Sequence, residues 1–176
     1  QDNPDIEDFS IASYYQPAER LGGDFYDIIS KDNKVIIYVS DVTGHGLDAA
    51  LMSSFIKSTI NSYIEAVSKN EITPSKIANF VARQFKKQDY PEDYFVCLAL
   101  TVYNFDTDKL KYTKLGIQDP ILMSDKNNDK ELISKGLPIS SVIPIDALNL
   151  KTKKVKLSPG DTIILNTDGI TEQKID

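Results

Sequence analysis

Three short acidic motifs hold the residues with chemistry to offer. The first is Gly22-Gly23-Asp24-Phe25-Tyr26-Asp27 and the second is Asp41-Val42-Thr43-Gly44-His45-Gly46. The third, far downstream, is Asn166-Thr167-Asp168-Gly169-Ile170-Thr171-Glu172. Each sets an aspartate at the end of an apolar run, beside glycine. Carboxylates gathered in this way are hard oxygen ligands of the kind that suit Mg²⁺ or Mn²⁺. A nucleophilic side chain has little support. The chain has one histidine, His45, and one cysteine, Cys97, and it contains neither G-x-S-x-G nor G-x-x-x-x-G-K-[ST]. Cys97 sits within an apolar, β-branched run over residues 94–103. That run reads as a buried strand, so a core thiol is expected rather than a reactive thiolate.

The elements that must position these residues follow from periodicity. Residues 8–16 and 22–30 read as strands, Lys31-Asp32-Asn33-Lys34 as a turn, and Lys34 to Ser40 as the returning strand. A hairpin over 22–41 then sets Asp24 beside Asp41. From Gly46 the period becomes helical. Leu47, Ala50, Leu51, Ser54 and Phe55 share a face, continued by Ile60, Tyr63, Ile64 and Val67, which predicts a helix to about Ser68. Asp48 near its start complements the helix dipole. A second helix is expected from Thr73-Pro74, an N-cap followed by proline at the first helical position, with the stripe Ile77, Phe80, Val81 and Phe85. Strands are expected over 94–104, 109–115, 120–124, 130–133, 148–156 and 161–166, with turns at 106–109 and 158–161. Strands, two helices, then strands fit antiparallel sheets with helices packed outside, an α+β architecture.

Composition narrows the function classes. The 176 residues suit one domain, and the net charge of −6 argues against nucleic acid or an anionic membrane as the main partner. Lys151, Lys153, Lys154 and Lys156 read as the exposed face of a strand. A single cysteine excludes an internal disulfide and suits a reducing compartment. No apolar stretch is long enough to span a bilayer. A cytoplasmic domain without direct membrane insertion is the expectation. The start at Gln1 rather than methionine suggests a domain excised from a longer protein.

The ordered motifs closely resemble those of the bacterial PPM (PP2C-like) serine/threonine phosphatases of the SpoIIE/RsbU type. The match runs from about residue 12 to residue 174. It takes in Pro17-Ala18, Gly22 to Asp27, Asp41 to Ala50, Leu157-Ser158-Pro159-Gly160-Asp161 and Thr167 to Glu172. The resemblance implies an αββα sandwich of two antiparallel sheets holding two Mn²⁺ or Mg²⁺ ions at one end. It implies metal-ligand roles for Asp24, Asp41, the Val42 carbonyl and Asp168, with Asp27 in an orienting role and Glu172 structural. It further implies hydrolysis of phosphoserine or phosphothreonine by a water activated between two cations. The expected substrate is a phosphorylated STAS-type anti-anti-sigma protein, and the expected setting is sigma-factor signalling. Arg20 is a candidate for the substrate phosphate, and His45 for shaping the Gly44–Gly46 loop or serving as an acid. A homodimer built through a neighbouring segment fits the same pattern.

Some residues depart from the family. Ile117 stands where a histidine is common and Cys97 where a threonine is common. The chain also stops at Asp176, before the Asp-Asp-x-Thr segment that supplies a further carboxylate. A domain over 1–176, truncated at its C-terminus, is therefore expected. The departures leave a second reading, a catalytically weak or inactive pseudophosphatase acting as a binding module. A third, a GGDEF-type cyclase loop at Gly22-Gly23-Asp24-Phe25, leaves the other two motifs without a role.

Overall fold

A computed structural model of the chain describes Ile6 and residues 9–16, 22–124 and 129–170. The chain order is β1 (Phe25–Lys31), β2 (Lys34–Val42), α1 (Gly46–Ala66), α2 (Pro74–Lys86), β3 (Phe95–Asn104) and β4 (Lys109–Leu115). There follow β5 (Ile121–Met123), β6 (Lys130–Glu131), β7 (Ile139–Ser140), β8 (Lys153–Lys156) and β9 (Thr162–Ile164). Both sheets are antiparallel. The larger runs β1-β2-β3-β4-β8 with β7 paired to β3, and the smaller runs β6-β5-β9.

β3 explains the layering. As a central strand it is buried on both faces, which hides the alternation of its side chains in the sequence. Its even-numbered residues Val96, Leu98, Leu100 and Val102 join Ile36, Tyr38 and Val42 of β2 under the helices. Its odd-numbered residues Cys97 and Ala99 face the other way and meet Ile117 and Leu165. On that same face Leu110 and Tyr112 pack against Leu122 and Ile163 of the smaller sheet. The described layers are therefore helices, large sheet and small sheet, the α+β arrangement expected.

α2 forms as its stripe predicts. Ile77, Val81 and Phe85 are fully buried, and Phe80 lies half-buried with its ring 5.0 Å from that of Tyr63. Each fully buried aliphatic side chain contributes about 1.5–3 kcal/mol relative to an exposed one. Thr73 occupies the N-cap, but its side chain makes no capping hydrogen bond. α1 starts as expected and buries the later part of the expected stripe, with Ile60 and Ile64 in the core and Tyr63 and Val67 packed against it, but its first turns are rotated. Ala49, Met52, Ser53, Ile56 and Ile60 point inward, while Leu47 and Leu51 are 63% and 60% exposed. Apolar and small residues surround its first turns, so the pattern admits two faces. On the inner side Met52 and Ile56 are fully buried and the Ser53 hydroxyl donates to the Gly23 carbonyl at 2.7 Å.

The expected strand over 8–16 does not form in its described part. Residues 10–16 pair with no strand, and the contact nearby is an isolated bridge between Ile6 and Phe9. Side chains attach this segment instead. The Tyr15 hydroxyl donates to the Asp24 carbonyl at 3.1 Å, and that of Tyr26 donates to Ser13 Oγ at 2.9 Å. The expected strand over 148–156 shortens to Lys153–Lys156, because residues up to Leu148 wind into a 3-10 turn and Asn149 takes a left-handed φ of 56°.

Lysines secure the end of the large sheet where β1 turns into β2. Lys31 donates to the carbonyls of Ile64, Glu65 and Val67 at the close of α1, which has no basic residue in its own last turn. Lys34, itself buried, donates to the carbonyls of Lys69 and Ile72. Both supply the positive charge that a helix C-terminus favours.

Candidate metal and active site

The β-ladders bring the first two motifs together. Phe25 pairs with Ser40, so the next position outward sets Asp24 opposite Asp41. Asp41 in turn pairs with Cys97. Residues directly opposite across a ladder share a face, so Asp24, Asp41 and Cys97 form one row. That row lies on the face that meets the small sheet. The third motif arrives from that sheet: Leu165, just after β9, packs against the cluster of Cys97, Ala99 and Ile117. The chain then delivers Thr167 onto Asp24, with Thr167 Oγ1 donating to Asp24 Oδ2 at 2.7 Å.

The thiol of Cys97 registers the result. Its pKa is pushed up to about 12, first by burial and then by the charges of Asp41, Asp168 and Asp24. All three carboxylates thus act on one buried atom. A neutral core thiol is what the sequence predicts for this position.

Backbone geometry completes the site. A β-carbon at Gly23 would stand 2.2 Å from the Val42 carbonyl oxygen, so only glycine lets the two strand ends come this close. Thr43 anchors the end of β2. Its amide donates to the Phe95 carbonyl at 3.0 Å, and its Oγ1 contacts that carbonyl and the Phe95 amide at 2.8 and 2.9 Å. Gly44 and Gly46 then turn the chain with φ of 90° and 73°, which admits α1 directly behind Asp41.

Asp27, three residues after Asp24, has a different setting. Its carboxylate is buried and takes Lys57 Nζ at 3.3 Å, the Tyr38 hydroxyl at 3.4 Å and the Ile28 amide at 3.0 Å. It locks α1 to β1. His45 is exposed at the N-cap of α1 and makes no side-chain capping hydrogen bond. Ile117 is buried in the cluster around Cys97. Arg20 and Glu172 lie outside the described residues.

The donors offered here are all oxygen: the carboxylates of Asp24, Asp41 and Asp168, and the Val42 carbonyl. This set fits a hard divalent cation. Among the described residues no group of three His, Cys, Asp or Glu side chains closes into a ready cage. The carboxylates share one end of the large sheet without converging on a single point. Sequence reasoning gave no role to Thr167 or Ser53. The available signals were a hydroxyl directly before Asp168 and a polar residue among the apolar ones on the inner side of α1.

Comparison with known proteins agrees with this architecture. The family model of Stage II sporulation protein E (SpoIIE) matches residues 31–176. Phosphoserine phosphatase RsbU of Bacillus subtilis is 29% identical over 170 residues, covering 96% of this chain and 48% of that protein. The chain spans about half or less of the length of the curated relatives it matches. Among solved structures, the SiaA-PP2C domain of Pseudomonas aeruginosa superimposes with a TM-score of 0.76 at 26% identity, over 89% of this chain and 59% of that one. RsbX in complex with magnesium superimposes with a TM-score of 0.65 at 19% identity, over 86% of this chain and 69% of that one. With the two-sheet fold, the carboxylate row and the matched family model in agreement, this chain belongs to the SpoIIE family and has the fold of PP2C-type phosphatase domains.

Proposed function

We propose that this domain is a metal-dependent protein phosphatase acting on phosphoserine or phosphothreonine. The observation that carries the reading is the pairing of Asp24 opposite Asp41 at one end of the large sheet, with the loop before Asp168 tied to Asp24 through Thr167 and the Val42 carbonyl beside Gly23. Asp24, Asp41, Asp168 and the Val42 carbonyl would hold Mn²⁺ or Mg²⁺, two ions in all. Bound there, the ions would supply an acidified water and neutralise charge on a phosphoryl group. The chain's own tasks are positional. β1 and β2 present two carboxylates side by side, the loop after β9 brings the third, and Thr43 holds the end of β2. Cys97 stays protonated and out of the chemistry. Arg20 is proposed to receive the substrate phosphate. The name of the RsbU relative supports a phosphoserine substrate, and a phosphorylated STAS-type regulator is the proposed partner, with a homodimer as the proposed assembly.

Phosphate release from a phosphoserine protein tests this, measured with Mn²⁺, with EDTA and with Asp41→Asn. Release should require Mn²⁺ and fall by about a hundredfold or more in the variant. Release that survives EDTA, or that Asp41→Asn leaves intact, would remove the reading. One observation favours a second reading, a pseudophosphatase that binds without turnover: no ready cage forms among the described residues. Binding of the phosphoprotein without Mn²⁺-dependent release would select it.

A further inference from the structure

We propose that Thr167 is a positioning residue whose hydroxyl sets the spacing between the Asp24 and Asp168 carboxylates. The inference rests on the metal-dependent reading above and extends it to a side chain outside the ligand set. Thr167 Oγ1 donates to Asp24 Oδ2 at 2.7 Å, joining the first motif to the third. Neighbouring contacts fix the loop that carries it. Leu165 is packed between the sheets, and Asn166 Nδ2 contacts the Thr167 carbonyl at 3.1 Å.

The type of donor matters. A hydroxyl gives one proton, so it can orient Asp24 while leaving Oδ1 its acceptor capacity and the carboxylate its full charge. An ammonium in the same place would cancel that charge, as Lys57 does for Asp27. Among the described residues no lysine or arginine forms an ion pair with Asp24. A neutral tether therefore holds Asp24 in a fixed direction, and the direction is tied to the residue next to Asp168. Without the tether the two carboxylates would have to be drawn into place by the cation itself, at the expense of affinity.

The test is calorimetric titration of Mn²⁺ into the metal-free full chain, for wild type, Thr167→Val and Thr167→Ser, alongside phosphate release at increasing Mn²⁺. Loss of one hydrogen bond to a charged group predicts Mn²⁺ affinity weakened roughly tenfold or more in Thr167→Val. Turnover at saturating Mn²⁺ should return close to wild type, and Thr167→Ser should restore affinity. A purely structural role would instead lower the metal-free melting temperature and leave affinity alone. Wild-type affinity in Thr167→Val, or a serine variant as weak as the valine one, overturns the proposal while leaving the phosphatase reading intact. No Mn²⁺ uptake by wild type overturns both. If Thr167→Val fails to fold, Thr167→Ala against Thr167→Ser decides on the same criterion.

Discussion

The two ends of the large sheet handle charge in opposite ways. At the end where β1 turns into β2, cations face the protein's own carbonyls: Lys31 closes α1, and Lys34 closes the turn after it. At the other end, Asp24 and Asp41 stand side by side with the loop before Asp168 tied to Asp24, and no described lysine or arginine pairs with Asp24. The contrast repeats at the start of β1, where Asp27 has Lys57 and Asp24, just before the strand, takes the Thr167 hydroxyl and no ion pair among the described residues. Charge balanced inside the chain holds elements together. Asp24, oriented by a hydroxyl and not by an ammonium, keeps its charge available to an ion from outside.

Gly23→Ala should break this contrast most severely. Its new β-carbon would press on a backbone carbonyl that has no room to yield. Stability should fall by about 1–3 kcal/mol, and Mn²⁺-dependent phosphate release by about a hundredfold through misplacement of Asp24. Denaturant melts and turnover together would show it, and full activity would mean that the close approach to Val42 is dispensable.

Lys34→Met probes the opposite end and should leave turnover unchanged. It strips the carbonyls of Lys69 and Ile72 of a donor, which costs about 1–2 kcal/mol. Burial, then the charges of Lys111 and Lys69, hold the Lys34 pKa below 10.5. The unfolded chain therefore binds this proton more tightly. Stability contributed by Lys34 should rise with pH across the window between the lowered value and 10.5, and the methionine variant should lack that rise. Urea midpoints over an alkaline pH series would reveal it, and a loss of turnover would blur the division between the two ends.

The smallest effect is expected at Cys97. With its pKa at about 12, the native thiol should resist iodoacetamide at mildly alkaline pH and react once the protein unfolds. Because the folded value exceeds the ordinary 9.0, this group's contribution is present below 9.0 and lost as pH climbs toward about 12. Rapid native alkylation would show that the thiol is neither buried nor held protonated as described.

Much of the frame was legible in the sequence because short-range signals decided it. The β1–β2 hairpin, its placement of Asp24 opposite Asp41, the stripe of α2 and the burial of Cys97 all follow from local pattern. The later part of the α1 stripe, Ile60 and Ile64, was legible, but the inward side of its first turns was not, since small and apolar residues ring them and a distant carbonyl, that of Gly23, receives Ser53. Residues 10–16 look like a strand by composition, yet a strand requires an edge to pair with, and this segment attaches through tyrosine hydroxyls instead. The Thr167 tether was hidden for a related reason: its partner is supplied by the other sheet.

The hydrogen bond between Thr167 and Asp24 joins residues 143 positions apart. Local contacts form early in folding, whereas a contact of this span must wait until the chain between has been ordered. On a ribosome, Asp24 and Asp41 emerge and pair long before Asp168 exists. The first two carboxylates are therefore made well before the third, and they cannot be joined through Thr167 until the roughly 125 residues between Val42 and Asp168 have been synthesised.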